Sequence, residues 1–271
     1  MVLQNNQKDF TLRWERLFKK NFCIILLIFF SYSNTFSQKA NHQLWTNLLS
    51  KNVTVEGKVN YKKFINDSLE VNAYLSELET NFPKTNWSQN EILAYWINAY
   101  NAYTIKLITL HYPIKGIKEI GGKIPFVNST WDIKFISIAN ESLDLNNIEH
   151  SKIRKQFSEP RIHMALVCAS KSCPILLQEA YTADQLDAQL TRATKLFLHD
   201  NSKNQINAKS SKLSLLFKWY SLDFKKMGGV RNFINKYSDT KINSKTKLNY
   251  LDYDWSLNLS LIHISEPTRP Y

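Results

Sequence analysis

The 271-residue chain has only three cysteines, and Cys23 lies in an apolar leader, so two thiols remain beyond it. Two are too few for the disulfide framework that small secreted domains use in place of a core. The chain also lacks a run of about 20 apolar residues, the length a membrane-spanning helix needs. Its apolar stretch from Phe22 to Phe30 is far shorter. The close Cys-x-x-Cys and His-x-x-x-His pairs of zinc sites are missing too, so no metal ligand set and no cofactor is expected. Repeats, low-complexity blocks and linkers are absent, which leaves one domain over residues 41–259 as the plain reading.

Hydrophobic residues make up 44% of the chain, enough to bury a proper core. Arg13, Arg16, Lys19 and Lys20 precede the apolar run, and the small polar stretch SYSNTFSQ follows it. That order matches a signal peptide with a cleavage site near Ser37/Gln38. Residues 1–37 are therefore expected to be a leader, or an uncleaved anchor, of an exported protein that works in the periplasm or outside the cell. Cys23 sits at the front of the apolar run rather than at the cleavage point, against lipid anchoring. Residues 260–271, SLIHISEPTRPY, resemble a translated sequencing adapter, and His263 is set aside with them.

The formal charge is +12, of which the leader's five basic and two acidic residues account for +3, leaving about +9. In an exported protein this favours anionic envelope polymers over nucleic acid as partners. The lysines are scattered, as on a solvated surface.

Along the chain, Leu44, Trp45, Leu48 and Leu49 recur at helical spacing, and a second helix is expected from about Tyr61 to Glu79. Ser88 and Glu91 form a capping box that opens a helix running to about Leu110, before Pro113. Its sequence, EILAYWINAYNAYTIKLITL, is apolar or aromatic on every side, so it should be a buried central helix. Asn98 and Asn101 lie three apart on one of its faces, where an unpaired amide costs on the order of 1–3 kcal/mol, so both must have partners. WDIKFISIANESLDL reads as a hairpin turning at Ala139 to Glu141, Asp144 as the cap of a following helix, and IHMALVCA as an interior strand. Pro174 is placed to start a helical turn, and Thr182 with Gln185 to cap another helix. NQINAKSSKLSL suggests a small hairpin, while LFKWYSLDF and VRNFINKYS suggest helices. The expected class is α+β: a helix-rich single domain with a small, mainly antiparallel sheet around the central helix.

Taken together, YWINAYNAYTIKLI, LNNIEHSKIRKQF, RIHMALVCASKSCP followed by EAYTADQLDAQL, and the closing YDWSLN resemble the bacterial form of the domain of unknown function 547 family. The likeness runs from about Leu44 to Asn258. It implies a fold and no activity, since the family is named for its missing function.

The candidate site is read from RIHMALVCASKSCP. Cys173, just before Pro174, would stand at a helix start whose partial positive charge favours the thiolate. His163 would then be its base and Asn98 the residue that orients the ring, as in cysteine hydrolases. Asn101, His150 and Ser172 are candidate substrate-binding residues. Three readings stay open. In the first, the protein is an exported envelope protein with a cleft between the Asn98/Asn101 helix and the His163–Cys173 segment, which takes a small molecule or an envelope polymer. In the second, it is a thiol-dependent hydrolase or acyltransferase. The third is a non-catalytic binding or scaffolding module with a Cys168–Cys173 disulfide, a pairing that cysteines five residues apart can make.

Overall fold

The computed structural model describes residues 38–122 and 129–260. The expected leader and residues 261–271 of the terminal stretch lie outside them. Helix α1 (Gln43–Asn52) turns its buried face, Trp45, Leu48 and Leu49, onto the core. The long helix expected after Tyr61 is two: α2 (Tyr61–Asn66) and α3 (Ser68–Thr80). They break at Asp67, whose carboxylate turns back to the end of α1 and accepts from Asn52 Nδ2 at 2.8 Å and Lys51 Nζ at 2.5 Å. That pairing pulls the two segments onto α1, and the Trp45 and Tyr74 rings then stack at 5.4 Å.

Helix α4 (Gln89–His111) is the spine of the molecule. The capping box forms as the sequence requires: Glu91 N–H donates to Ser88 Oγ at 3.3 Å, and Ser88 N–H to Glu91 Oε2 at 2.7 Å. The helix stops short of Pro113, and every residue from Leu93 to Ile105 is buried. It packs against α2, α3 and the helix at Asn147–Arg154.

A short hairpin follows, β1 (Ile136–Ile138) and β2 (Glu141–Leu143), antiparallel with Ile136 opposite Leu143. Ala139 and Asn140 make its two-residue turn with φ of 55° and 61°, the left-handed pair that suits the twist of a hairpin. Asp144 then caps the next helix, its Oδ1 accepting from Asn147 N–H at 2.6 Å. That helix, Asn147–Arg154, is a wide π-helix rather than an α-helix. Such stretches gather at functional sites.

The segment read as an interior strand is not one. Pro160–Met164 form a tight 3₁₀ turn, and the residues from Ala165 to Cys168 that follow belong to no strand. Asn101 takes the place of a partner strand: its Nδ2 donates to Ala165 O at 2.9 Å and its Oδ1 accepts from Val167 N–H at 2.9 Å. An apolar run does not reveal whether its backbone will be met by another strand or by a side-chain amide, so the two are alike in sequence.

Helix α5 (Leu186–His199) lies against the 3₁₀ turn. The hairpin expected near residue 205 keeps only the Gln205–Lys212 bridge. Strand β3 (Ser210–Leu213) instead runs parallel to β4 (Lys247–Tyr250). LFKWYSLDF splits into α6 (Leu216–Trp219) and α7 (Ser221–Lys225), broken at Tyr220, and α8 (Val230–Tyr237) follows. Beyond β4 the closing segment crosses the molecule, bridging Ser256 to Gly116, Leu257 to Ser170 and Leu259 to Val59. At Gly116 a Cβ would lie 2.4 Å from Trp255 O, so only glycine admits this crossing. Among the described residues the fold is thus a helix-rich α+β arrangement around one core, with two separate two-stranded sheets, one antiparallel and one parallel. Among the described residues no helix is long and apolar enough to cross a membrane.

Candidate functional site

Between α4, the 3₁₀ turn, α6 and the closing segment lies a cleft of about 190 Å³. Tyr100 of α4, His163, Cys168 and Cys173 all line it. Pockets that engulf a whole ligand run to ~300–1,000 Å³, so this one admits a single chemical group.

Cys168 and Cys173 are brought together by a tight reversal. Ala169 adopts φ 61°, rare for a residue with a side chain and usually kept only where the surroundings enforce it. Cys173 N–H closes the turn onto Ser170 O at 3.2 Å. The sulfurs end 2.7 Å apart as free thiols, without the disulfide that one of the three readings called for. Cys168 Sγ also lies 3.2 Å from Ser170 Oγ and 3.3 Å from Tyr253 Oη. Its own backbone N–H donates to Cys173 Sγ at 2.9 Å.

This arrangement separates the two thiols. Burial pushes Cys168 up, but hydrogen bonds from Cys173, Ser170 and Tyr253 outweigh it and bring the thiol from 9.0 to about 7. Burial, then the neighbouring Cys168, pushes Cys173 well above 9.0. Tyr253 is likewise held protonated by burial and by Cys168, which fits it to donate. The helix start expected at Pro174 is absent, so Cys173 has no helix dipole to lean on, and of the two thiols it is Cys168 whose pKa is lowered. Removing one donor should show this directly. In Tyr253→Phe, the pH midpoint of Cys168 alkylation moves up by about one to two units, since a hydrogen bond to a charged group is worth roughly 1.5–3 kcal/mol.

His163 is 3% exposed and its ring stacks on Tyr220 with centroids 3.8 Å apart, a contact made possible by the break between α6 and α7. Its Nε2 lies 2.8 Å from Asp223 Oδ2, which also accepts from Arg154 Nε at 2.7 Å. His163 and Arg154 hold the Asp223 carboxyl well below its usual range, so it can only accept, and Nε2 must carry the proton. Burial lowers the His163 pKa despite Asp223, leaving a neutral ring with Nδ1 as its acceptor. Among the described residues, neither sulfur is hydrogen-bonded to His163. The two share the cleft rather than a resting ion pair.

The expected orienting and binding residues fare differently. Asn98 does not touch His163: its Nδ2 donates to Tyr181 O at 2.7 Å and its Oδ1 accepts from Tyr181 N–H at 2.9 Å. Asp223 orients the ring instead. Asn101 is spent on Ala165 and Val167 in the same manner, so neither amide lines the cleft. His150 is exposed and pairs with Arg154 at 2.6 Å, because neighbours on a helix point apart and it is Glu149 that turns inward. Ser172 Oγ accepts from Asp254 N–H at 2.9 Å, tying down the closing segment rather than a substrate.

Glu149 is 5% exposed, lines the cleft, and its Oε1 has no partner among the described residues. Trp131, Trp219, Tyr253 and Trp255 form one wall, with Tyr253 and Trp255 centroids 4.5 Å apart and Trp219 and Trp255 stacked at 5.8 Å. Asp223 gave no local signal in the sequence. Tyr253 did: it lies within YDWSLN, one of the blocks that carries the resemblance. Among the described residues no group of three or more His, Cys, Asp or Glu is placed to hold a metal ion.

Residues 84–198 match the family model described as "Protein of unknown function, DUF547". The chain carries a DUF547 domain. The match takes in the central helix, the π-helix, His163 and both thiols, whereas Asp223 and Tyr253 come from outside the DUF547 segment. No curated protein and no solved structure matches the chain.

Proposed function

We propose that this is an exported protein whose cleft carries out thiol-dependent hydrolysis or acyl transfer, with Cys168 as the nucleophile. The observation that carries the reading is the sulfur of Cys168, ringed by Cys173, Ser170 and Tyr253 on the wall of a cleft that also holds His163. Donors around a sulfur stabilise the thiolate, which is the attacking form. The neutral His163 ring, fixed by Asp223, has a basic Nδ1 suited to take a proton from water and return one to a leaving group. The basic residues and apolar run at the N-terminus support export. Three demands then describe the substrate: a carbonyl for Cys168, an N–H or O–H donor for the open oxygen of Glu149, and an apolar or ring face for the tryptophan wall. An amide-bearing fragment of an envelope polymer meets all three, and the small cleft suits one group of a longer chain.

The test is alkylation of the intact protein with iodoacetamide from pH 5 to 9, mapped by mass. Thiolate increases with pH, so labelling at Cys168 should rise through a midpoint near 7, with Cys173 unlabelled until the protein is denatured. Labelling that starts at Cys173, or a Cys168 midpoint near 9, overturns the reading.

A further inference from the structure

We infer that the same two sulfurs also perform thiol–disulfide exchange, with Cys168 attacking a small-molecule disulfide and Cys173 resolving the mixed disulfide that forms. The inference rests on Cys168 being the nucleophile and adds a chemical role for Cys173, which hydrolysis leaves with nothing to do beyond donating a hydrogen bond.

The geometry carries it. Cys173 is 3% exposed and its sulfur touches that of Cys168 at 2.7 Å, so a group bonded to Cys168 is within its reach while Cys173 itself is shielded from solution. The loop between them is held firmly: Lys171 N–H donates to Ser256 O at 2.8 Å and Asn258 N–H to Ala169 O at 3.0 Å. Ala169 is held in the left-handed region, rare for a residue with a side chain, and the result of that conformation is to fold one sulfur onto the other. A buried thiol without a reaction needs no such reversal.

The steps balance. The Cys168 thiolate attacks one sulfur of a disulfide RSSR, forming a Cys168–S–S–R bond and releasing RS⁻. Cys173 gives its proton to that leaving thiolate and attacks the Cys168 sulfur, forming the internal bridge and releasing the second RS⁻. The substrate is thus reduced to one RSH and one RS⁻ as the protein's dithiol is oxidised, and an excess of small-molecule thiol reverses the sequence. Attack by the thiol with more thiolate, followed by resolution from a neighbouring sulfur, is the ordinary course of such exchange.

Oxidised glutathione is the probe, and intact mass with peptide mapping the readout. Wild-type protein should lose two hydrogens, carry a Cys168–Cys173 bridge, and lose its iodoacetamide labelling. Cys173→Ser should stop at one glutathionyl group on Cys168, and Cys168→Ser should take up none. Should Cys173→Ser not fold by circular dichroism, the bridge mapped in wild type decides alone. Wild-type protein that stops at the mixed disulfide on Cys168 overturns the exchange role and leaves the nucleophile reading standing. No reaction at either sulfur overturns the exchange role, and a first adduct on Cys173 overturns both.

Discussion

Replacing Cys168 by alanine abolishes turnover of an activated ester such as p-nitrophenyl acetate, whereas replacing Cys173 by alanine retains turnover with its pH midpoint moved upward. The difference follows from what each sulfur does. In the proposed reaction Cys168 forms the acyl–enzyme bond, and without it the cleft keeps only binding and polarisation; losing a nucleophile of this kind costs several orders of magnitude in kcat. Cys173 supplies one of three hydrogen bonds to the Cys168 sulfur, so its loss raises the pH at which the thiolate forms without removing it. Asp223→Asn separates the roles further. It keeps the shape near His163 and Arg154 but replaces the carboxylate that fixes the proton on Nε2. Release of the acyl group should slow more than its formation, read as a larger burst relative to steady turnover. Equal loss in Cys168→Ala and Cys173→Ala, with both proteins folded, would remove the assignment of the nucleophile.

The second large effect is on stability. Asn101→Ala should destabilise the fold by about 3–5 kcal/mol, measured by urea unfolding. The substitution leaves the Val167 N–H and the Ala165 carbonyl buried and unpaired, at roughly 1–3 kcal/mol each, and opens a small cavity. Against the 5–15 kcal/mol of a typical domain that is a large share. Asn98→Ala should behave alike through Tyr181. Asn101→Asp is the informative control, because it keeps an acceptor for Val167 N–H while setting a carboxylate against the Ala165 carbonyl, and it should cost at least as much. A loss under about 1 kcal/mol for Asn101→Ala means that the segment has other support and the clamp is incidental.

What the sequence reveals and what it hides divide along a physical line. The central helix was legible because its signals are local: a capping box at Ser88 and Glu91, a stop at Pro113, and apolar residues on every side. The β1–β2 hairpin was legible through its alternation and two-residue turn. The need of Asn98 and Asn101 for partners was plain, but not that each would close on a passing backbone. At the candidate site, the local part, two thiols and a histidine in fourteen residues, was visible. The partners that decide its chemistry were not, since Asp223 stands 60 residues from His163 and Tyr253 stands 85 from Cys168. Chain reversal at Ala169 and the break at Tyr220 place those groups, and neither leaves a periodic mark. The expectation for Cys173 rested on a helix start at Pro174 that does not form; Ser170 and Cys173 stand close to Cys168 in sequence but reach its sulfur only through the reversal at Ala169, and Tyr253 arrives from the far end of the chain.

That far-end supply has a temporal consequence. Ribosomes make the thiols long before Tyr253, so a nascent or half-folded polypeptide holds Cys168 without one of its three donors and without the strip that pins its loop. Chemical competence is therefore the last thing such a molecule acquires, and an unfinished copy is kept comparatively inert toward whatever electrophiles it meets on the way.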